Sequence, residues 1–190
     1  MDRRQVLMTA GLGLLVAATK LPENVGQYHD DRSNVYLDGN SNLVFHAAKD
    51  GPTYYSGKIF GKWQGGIGHT WESRMKMDCL TPGCWPAWYL SNESPVNGGE
   101  HVSARIAVDS AWHTWRVVWD DAGMRFYRDY ADGAAPYFNV PARSLPDWQF
   151  NDAGYQMFPV FDLAVAGSGG GDPRGGTYPA NMLIDYIRVW

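Results

Sequence analysis

The sequence predicts an antiparallel β-sandwich, and three observations predict it. Apolar and polar residues alternate along short runs, and no segment holds a long helical period. Turn signals recur at short intervals between those runs. Nine Trp and eleven Tyr stand beside 22 Gly, a mixture of strand-forming aromatics and tight-turn residues.

The first element is not a strand by this reading. Arg3-Arg4 precede an apolar run from Val6 to Ala18. Thirteen residues (6–18) fall short of the ~20 that cross a bilayer and suit the apolar part of an export signal. The start loosely resembles a twin-arginine signal. Residues 1–21 are therefore expected to be an export signal and residues 22–190 the sandwich. The mature chain is then secreted, without a membrane span. The alternative is an uncleaved anchor or a frayed tail.

Strand signals follow in order. Asn34–Leu37 and Asn42–Ala48 flank Asp38-Gly39-Asn40-Ser41, a hairpin with an Asp-Gly turn. Trp71–Met77 alternates, with Trp71, Met75 and Met77 on one side and Glu72, Arg74 and Lys76 on the other. Trp85–Leu90 is an apolar run. Trp112–Trp119 and Met124–Arg128 flank Asp120-Asp121-Ala122-Gly123, a second hairpin. Phe158–Ala166 and Met182–Val189 are the last strands.

The bulk properties narrow the function. A chain of 190 residues supplies one domain with a sizeable core. A net charge of -4 gives no basic footprint for nucleic acid. The two cysteines, Cys79 and Cys84, flank a Pro82-Gly83 turn. They either bridge or sit as two small buried residues, and no neighbouring His or Cys completes a zinc set. The Gly167–Gly176 loop lacks the Gly-Lys-Ser/Thr end of a phosphate loop. It reads as a rim loop whose backbone can approach a sugar closely.

Several blocks resemble glycoside hydrolase family 16, the endo-β-glucanases that include laminarinases. They are Tyr55–Ile59, Gly68–Lys76, Leu80–Leu90 with its Trp85-Pro86-Ala87-Trp88 core, Trp112–Asp129, Phe161–Gly167 and Met182–Trp190. They run in family order. The resemblance implies a concanavalin A-like jelly roll, a sugar cleft on the concave sheet, β-glucan as the partner, and a monomer. It also implies that one or more strands are missing. Leu21–Gly26 joins the leader almost directly to Gln27-Tyr28, where the family has a further strand.

Retaining glycosidases need two carboxylates about 5–5.5 Å apart. The family places them on one strand in a Glu-x-Asp-x-(x)-Glu run, whose alternate residues share a face. Here Gly99-Glu100 fits the start of that run. Val102 stands where Asp belongs, and Ala104-Arg105 where the second Glu belongs. Asp109 lies beyond the motif. Only eleven residues (101–111) separate Glu100 from Trp112, which reads as an internal deletion starting after Glu100. By position Glu100 is the candidate nucleophile, without its acid partner; the plainer reading is a solvated loop acid.

The resemblance also suggests substrate contacts. Trp85 and Trp88 lie three apart, so on a regular strand one faces the core and the other the cleft. Trp63, in a loop-like stretch, is a weaker cleft candidate. His113 reads as a satisfied structural histidine. Asp185 lies where family members often place a calcium ligand, so a structural calcium is the one cofactor considered. Three functions remain: an endo-β-glucanase, a non-catalytic carbohydrate-binding sandwich, and a degenerate family remnant.

Overall fold

The computed structural model of the chain describes residues 6–9, 26–28, 32–92, 106–145 and 148–190, the first of these as backbone only. Glu100 lies outside the described residues. The strands are β1 (Val6–Thr9), β2 (Gly26–Tyr28), β3 (Val35–Leu37), β4 (Leu43–Asp50), β5 (Thr53–Ser56), β6 (Lys58–Phe60) and β7 (Thr70–Asp78). They continue as β8 (Cys84–Ser91), β9 (Trp112–Asp120), β10 (Gly123–Arg128), β11 (Phe138–Pro141), β12 (Phe158–Val165) and β13 (Ala180–Val189). One helical turn, α1 (Gly167–Gly170), follows β12.

Among the described residues these strands form two sheets. The smaller has the order β1-β8-β12-β6. The larger has the order β11-β10-β9-β7-β13-β4-β5-β2, with β3 also paired to β4. Every pairing is antiparallel except β2 with β5. The predicted antiparallel β-sandwich is the observed fold.

Both expected hairpins form. In the first, the Asp38 carboxylate accepts the backbone N–H groups of Asn40 at 2.7 Å and Asn42 at 3.1 Å. This Asx geometry turns the chain without a backbone partner for each group. In the second, Gly123 holds a φ of +124°, and a Cβ there would stand 2.2 Å from the Val140 carbonyl oxygen. Only glycine fits that combination.

The Tyr55–Ile59 block is not one strand. It divides at Gly57 into β5 of the larger sheet and β6 of the smaller. A Cβ on Gly57 would meet Val35 Cγ2 at 2.1 Å, so the chain crosses between sheets at the one residue small enough to pass. Residues 6–9, expected within an export signal, pair as β1 with Ala87–Leu90 of β8.

The core lies between the sheets. Trp71, Trp119, Phe45, Met182 and Leu163 are fully buried there. Phe45 of the larger sheet meets Phe161 of the smaller at 6.4 Å between ring centroids. Trp88 stacks on Phe161 at 5.9 Å with planes 6° apart. The polar side of β7 behaves as the alternation predicts, but Glu72 is only 6% exposed. Arg116 of the neighbouring β9 donates to it, Nε at 2.8 Å and Nη2 at 2.6 Å. The Tyr186 hydroxyl of β13 adds a bond of 2.9 Å. A buried carboxylate is tolerated because cross-strand donors on both sides replace its water.

Candidate functional site

The face of the smaller sheet that turns away from the larger one is built by strict alternation. On β8, Cys84, Trp88 and Leu90 join the main core, while Ala87 and Tyr89 form a separate cluster with Phe158 and Val160 of β12. Trp85, two residues before Ala87, shares that outer face. Register then sets the rungs. Trp85 stands opposite Ala164, Ala87 opposite Asp162, and Tyr89 opposite Val160. Across the other edge of β12, Asp162 faces Lys58 and Val160 faces Phe60.

The polar centre of this face is Asp162. It is 7% exposed, and Lys58 Nζ lies 3.5 Å from its Oδ2. Burial pushes the carboxyl above its ordinary 3.8, against the opposing pull of Lys58 and a bond from Tyr89. Lys58 is ringed by aromatics, at 5.3 Å from the Phe60 centroid, 5.5 Å from Tyr89 and 5.8 Å from Tyr28. Phe60 meets Phe158 edge to face at 6.0 Å. An acid–ammonium pair within flat apolar rings is suited to a ligand of hydroxyls and C–H surfaces. No sequence motif singles out Asp162. Its signal was available as the one acidic residue in Phe158–Val165, but that run also reads as an all-core strand.

The three tryptophans chosen from the sequence separate. Trp88 is a correction: at 2% exposure it belongs to the core, because its parity on β8 turns it toward Phe161. Trp85 lies on the outer face, half-buried beneath α1. A Cβ on Gly169 would stand 2.3 Å from the Trp85 ring, so the glycine-rich turn rests directly on the indole. Trp63 is 51% exposed and packs on Trp71 at 5.2 Å and His69 at 5.4 Å. Its loop is tied to the start of β12, through Gly61 N–H to the Pro159 carbonyl at 2.7 Å and Gly65 N–H to the Met157 carbonyl at 2.9 Å. Trp85 adjoins the other end of β12. Six residues of strand, about 20 Å, separate Ala164 from Phe158, so Trp63 and Trp85 stand by opposite ends of β12, and the Trp63 ring packs on Trp71 of the larger sheet.

Asp185 does not fit a calcium site. It lies at the β-bulge of β13 between Ile184 and Tyr186, on the exposed side of the larger sheet. Its Oδ2 accepts from Arg74 Nη1 at 2.8 Å. Calcium needs six to eight oxygens, and a guanidinium occupies the approach. Among the described residues no three His, Cys, Asp or Glu side chains gather as a metal set.

Other sequence candidates take structural roles. His113 Nδ1 lies 2.5 Å from Asp129 and Nε2 lies 3.0 Å from Asp109. Burial alone would lower this imidazole, but the two carboxylates outweigh it and hold it above 6.5. Cys79 and Cys84 are free thiols. Burial pushes Cys84 up to about 11 and Cys79 well above its usual value, so neither is a ready thiolate nucleophile. Among the described residues no helix is long and apolar enough to cross a membrane.

No protein-family model matches the chain. Among curated proteins, glucan endo-1,3-β-glucosidase A1 of Niallia circulans is 29% identical over 112 residues, 54% of this chain and 16% of that protein. The chain thus matches a small part of that relative's length. Solved structures match more fully. A β-1,3-glucanase from Mycobacterium marinum is 58% identical, with a TM-score of 0.79 over 89% of this chain and 82% of the other. A glycosyl hydrolase family 16 protein from Mycobacterium smegmatis is 50% identical, with a TM-score of 0.81 over 95% and 89%. A Mycobacterium tuberculosis protein, described as an immunostimulatory antigen and pseudo β-1,3-glucanase, is 45% identical, with a TM-score of 0.83 over 95% and 88%.

Proposed function

The chain belongs to glycoside hydrolase family 16, and from that premise we propose that it is a β-glucan-recognising sandwich with little or no hydrolytic turnover. One observation carries this reading. Among the described residues the four strands of the smaller sheet hold a single acidic residue, Asp162, and its carboxylate is paired to Lys58. A retaining glycosidase needs one carboxylate to attack the anomeric carbon and a second to protonate the leaving oxygen. Glu100 stands for the first by its place after Gly99, and its motif lacks the second. Loss of general-acid help removes typically 10²–10⁴-fold in rate. The relative described as a pseudo β-1,3-glucanase supports the same reading.

Binding survives this loss because it uses other groups. Trp85 and the rings around Lys58 offer apolar faces, and the Asp162–Lys58 pair offers a hydrogen-bond acceptor and donors. The internal deletion after Glu100 is part of the proposal, supported by the short span to Trp112. So is export by residues 1–21, supported by Arg3-Arg4 ahead of the apolar run.

The experiment is a pull-down on insoluble β-1,3-glucan, paired with a reducing-end assay on the same material. Retention without released ends is expected. Absence of retention at high protein concentration overturns the proposal. Release of ends that Glu100→Gln abolishes overturns it in favour of an active endo-β-glucanase.

A further inference from the structure

We propose that Lys58 decides which glycans the outer face of the smaller sheet accepts. It fills an ammonium-binding cage with the chain's own cation, so sugars carrying a protonated amine are refused and neutral sugars are taken. This role rests on the glycan reading above and names the ligand class of the same face.

A lysine on a strand usually carries its ammonium out to water. The Lys58 side chain is instead only 19% exposed, and among the described residues three rings gather round its Nζ. The centroids of Phe60, Tyr89 and Tyr28 lie at 5.3, 5.5 and 5.8 Å, all within the ~6 Å over which a ring face attracts a cation. The Asp162 Oδ2 stands 3.5 Å from the same nitrogen. Several rings around one site are how proteins recognise substituted ammonium groups, and a carboxylate adds the opposite charge. Distant segments supply the parts: Tyr28 from β2, Phe60 from β6, Tyr89 from β8 and Asp162 from β12. Register gathers them, with Lys58 opposite Asp162, Phe60 opposite Val160, and Val160 opposite Tyr89.

The cage has a buried side and a side open to ligand. Tyr89 is buried, while Phe60 and Tyr28 are 51% and 43% exposed. A sugar laid on the exposed rings brings its substituents to Nζ. A hydroxyl oxygen is welcome there, because an ammonium has N–H donors and no acceptor. A protonated amine is not. Two like charges ~4 Å apart at a protein surface weaken binding by on the order of 10²–10³-fold. Without Lys58 the preference reverses, since the rings and Asp162 remain and each attracts a cation.

The test uses the full chain and titration calorimetry, in enough salt to screen general attraction to a chain of net charge -4. The first probe is n-propylammonium, which replaces the atoms that Lys58→Ala removes. The second is a β-linked glucosamine trisaccharide at a pH where its amines are protonated, beside its neutral N-acetylated counterpart. Lys58→Ala and Lys58→Ser open the cage, the serine leaving a hydroxyl for Asp162 should the alanine variant not fold. Lys58→Met plugs it without charge. Both open variants should bind n-propylammonium and the glucosamine trisaccharide at least about tenfold more tightly than the wild type or Lys58→Met. Adding Asp162→Asn should take back about tenfold of that gain, and the acetylated trisaccharide should show no gain. Equal binding of the glucosamine trisaccharide by wild type and open variants overturns the proposal. So does uptake of n-propylammonium without uptake of that trisaccharide. Failure of the wild type to stay on β-1,3-glucan, beside a gain in the glucosamine arm, overturns the glucan reading and leaves the role of Lys58 standing.

Discussion

Replacing Trp88 with Ala should unfold the protein more readily without touching the proposed glucan-binding face. Trp88 is 2% exposed and stacked on Phe161 at 5.9 Å. Truncating a buried Trp to Ala costs about 3–5 kcal/mol, of which the lost ring stack accounts for about 0.5–1.5 kcal/mol. A domain of this size shifts by about 2–4 °C per kcal/mol, so Tm should fall by roughly 6–20 °C. Trp85→Ala, on the opposite face of the same strand, should reduce retention on insoluble β-1,3-glucan with a smaller fall in Tm. The assay is thermal unfolding followed by tryptophan fluorescence, run beside a glucan pull-down at a temperature where both variants stay folded. A Trp88→Ala protein that keeps its Tm and loses retention would refute the assignment of the two faces.

Four further outcomes follow from the same geometry. Gly169→Ala should lift α1 from the Trp85 ring at a cost of about 1–3 kcal/mol, and reduced retention with a Tm lower by about 2–12 °C checks it. Arg116→Ala leaves Glu72 buried without its cation, and thermal melts should show a loss of about 3–5 kcal/mol. Asp162 is held above its ordinary 3.8, so its contribution to stability is complete below that value and is lost as pH rises through the raised one. Melts of the wild type and Asp162→Asn should therefore differ progressively against the wild type as pH climbs, and a flat difference argues against the burial. His113 is held above 6.5, so its pairing with Asp109 and Asp129 stabilises below that value and fades as pH rises through the raised one. His113→Gln should remove that portion of the pH dependence of Tm.

The sequence by itself determined the sandwich. Period-two alternation commits each strand to two faces, and the Asp38-Gly39 and Asp120–Gly123 turns commit neighbours to antiparallel pairing. The separation of Trp85 from Trp88 was also determined, since three residues along a strand reverse the side chain. Which ring faced the core was not, because parity is relative until the sheet packs against a partner. Tertiary structure decided that, along with the change of sheet at Gly57 and the burial of Glu72 between Arg116 and Tyr186. It also made Asp162 the polar centre of the outer face. On the sequence it is a lone acid in an apolar run; Lys58 joins it from a strand about a hundred residues earlier. The reason is common to all four. Local pattern fixes what one strand can present, while register between distant strands decides what each side chain meets.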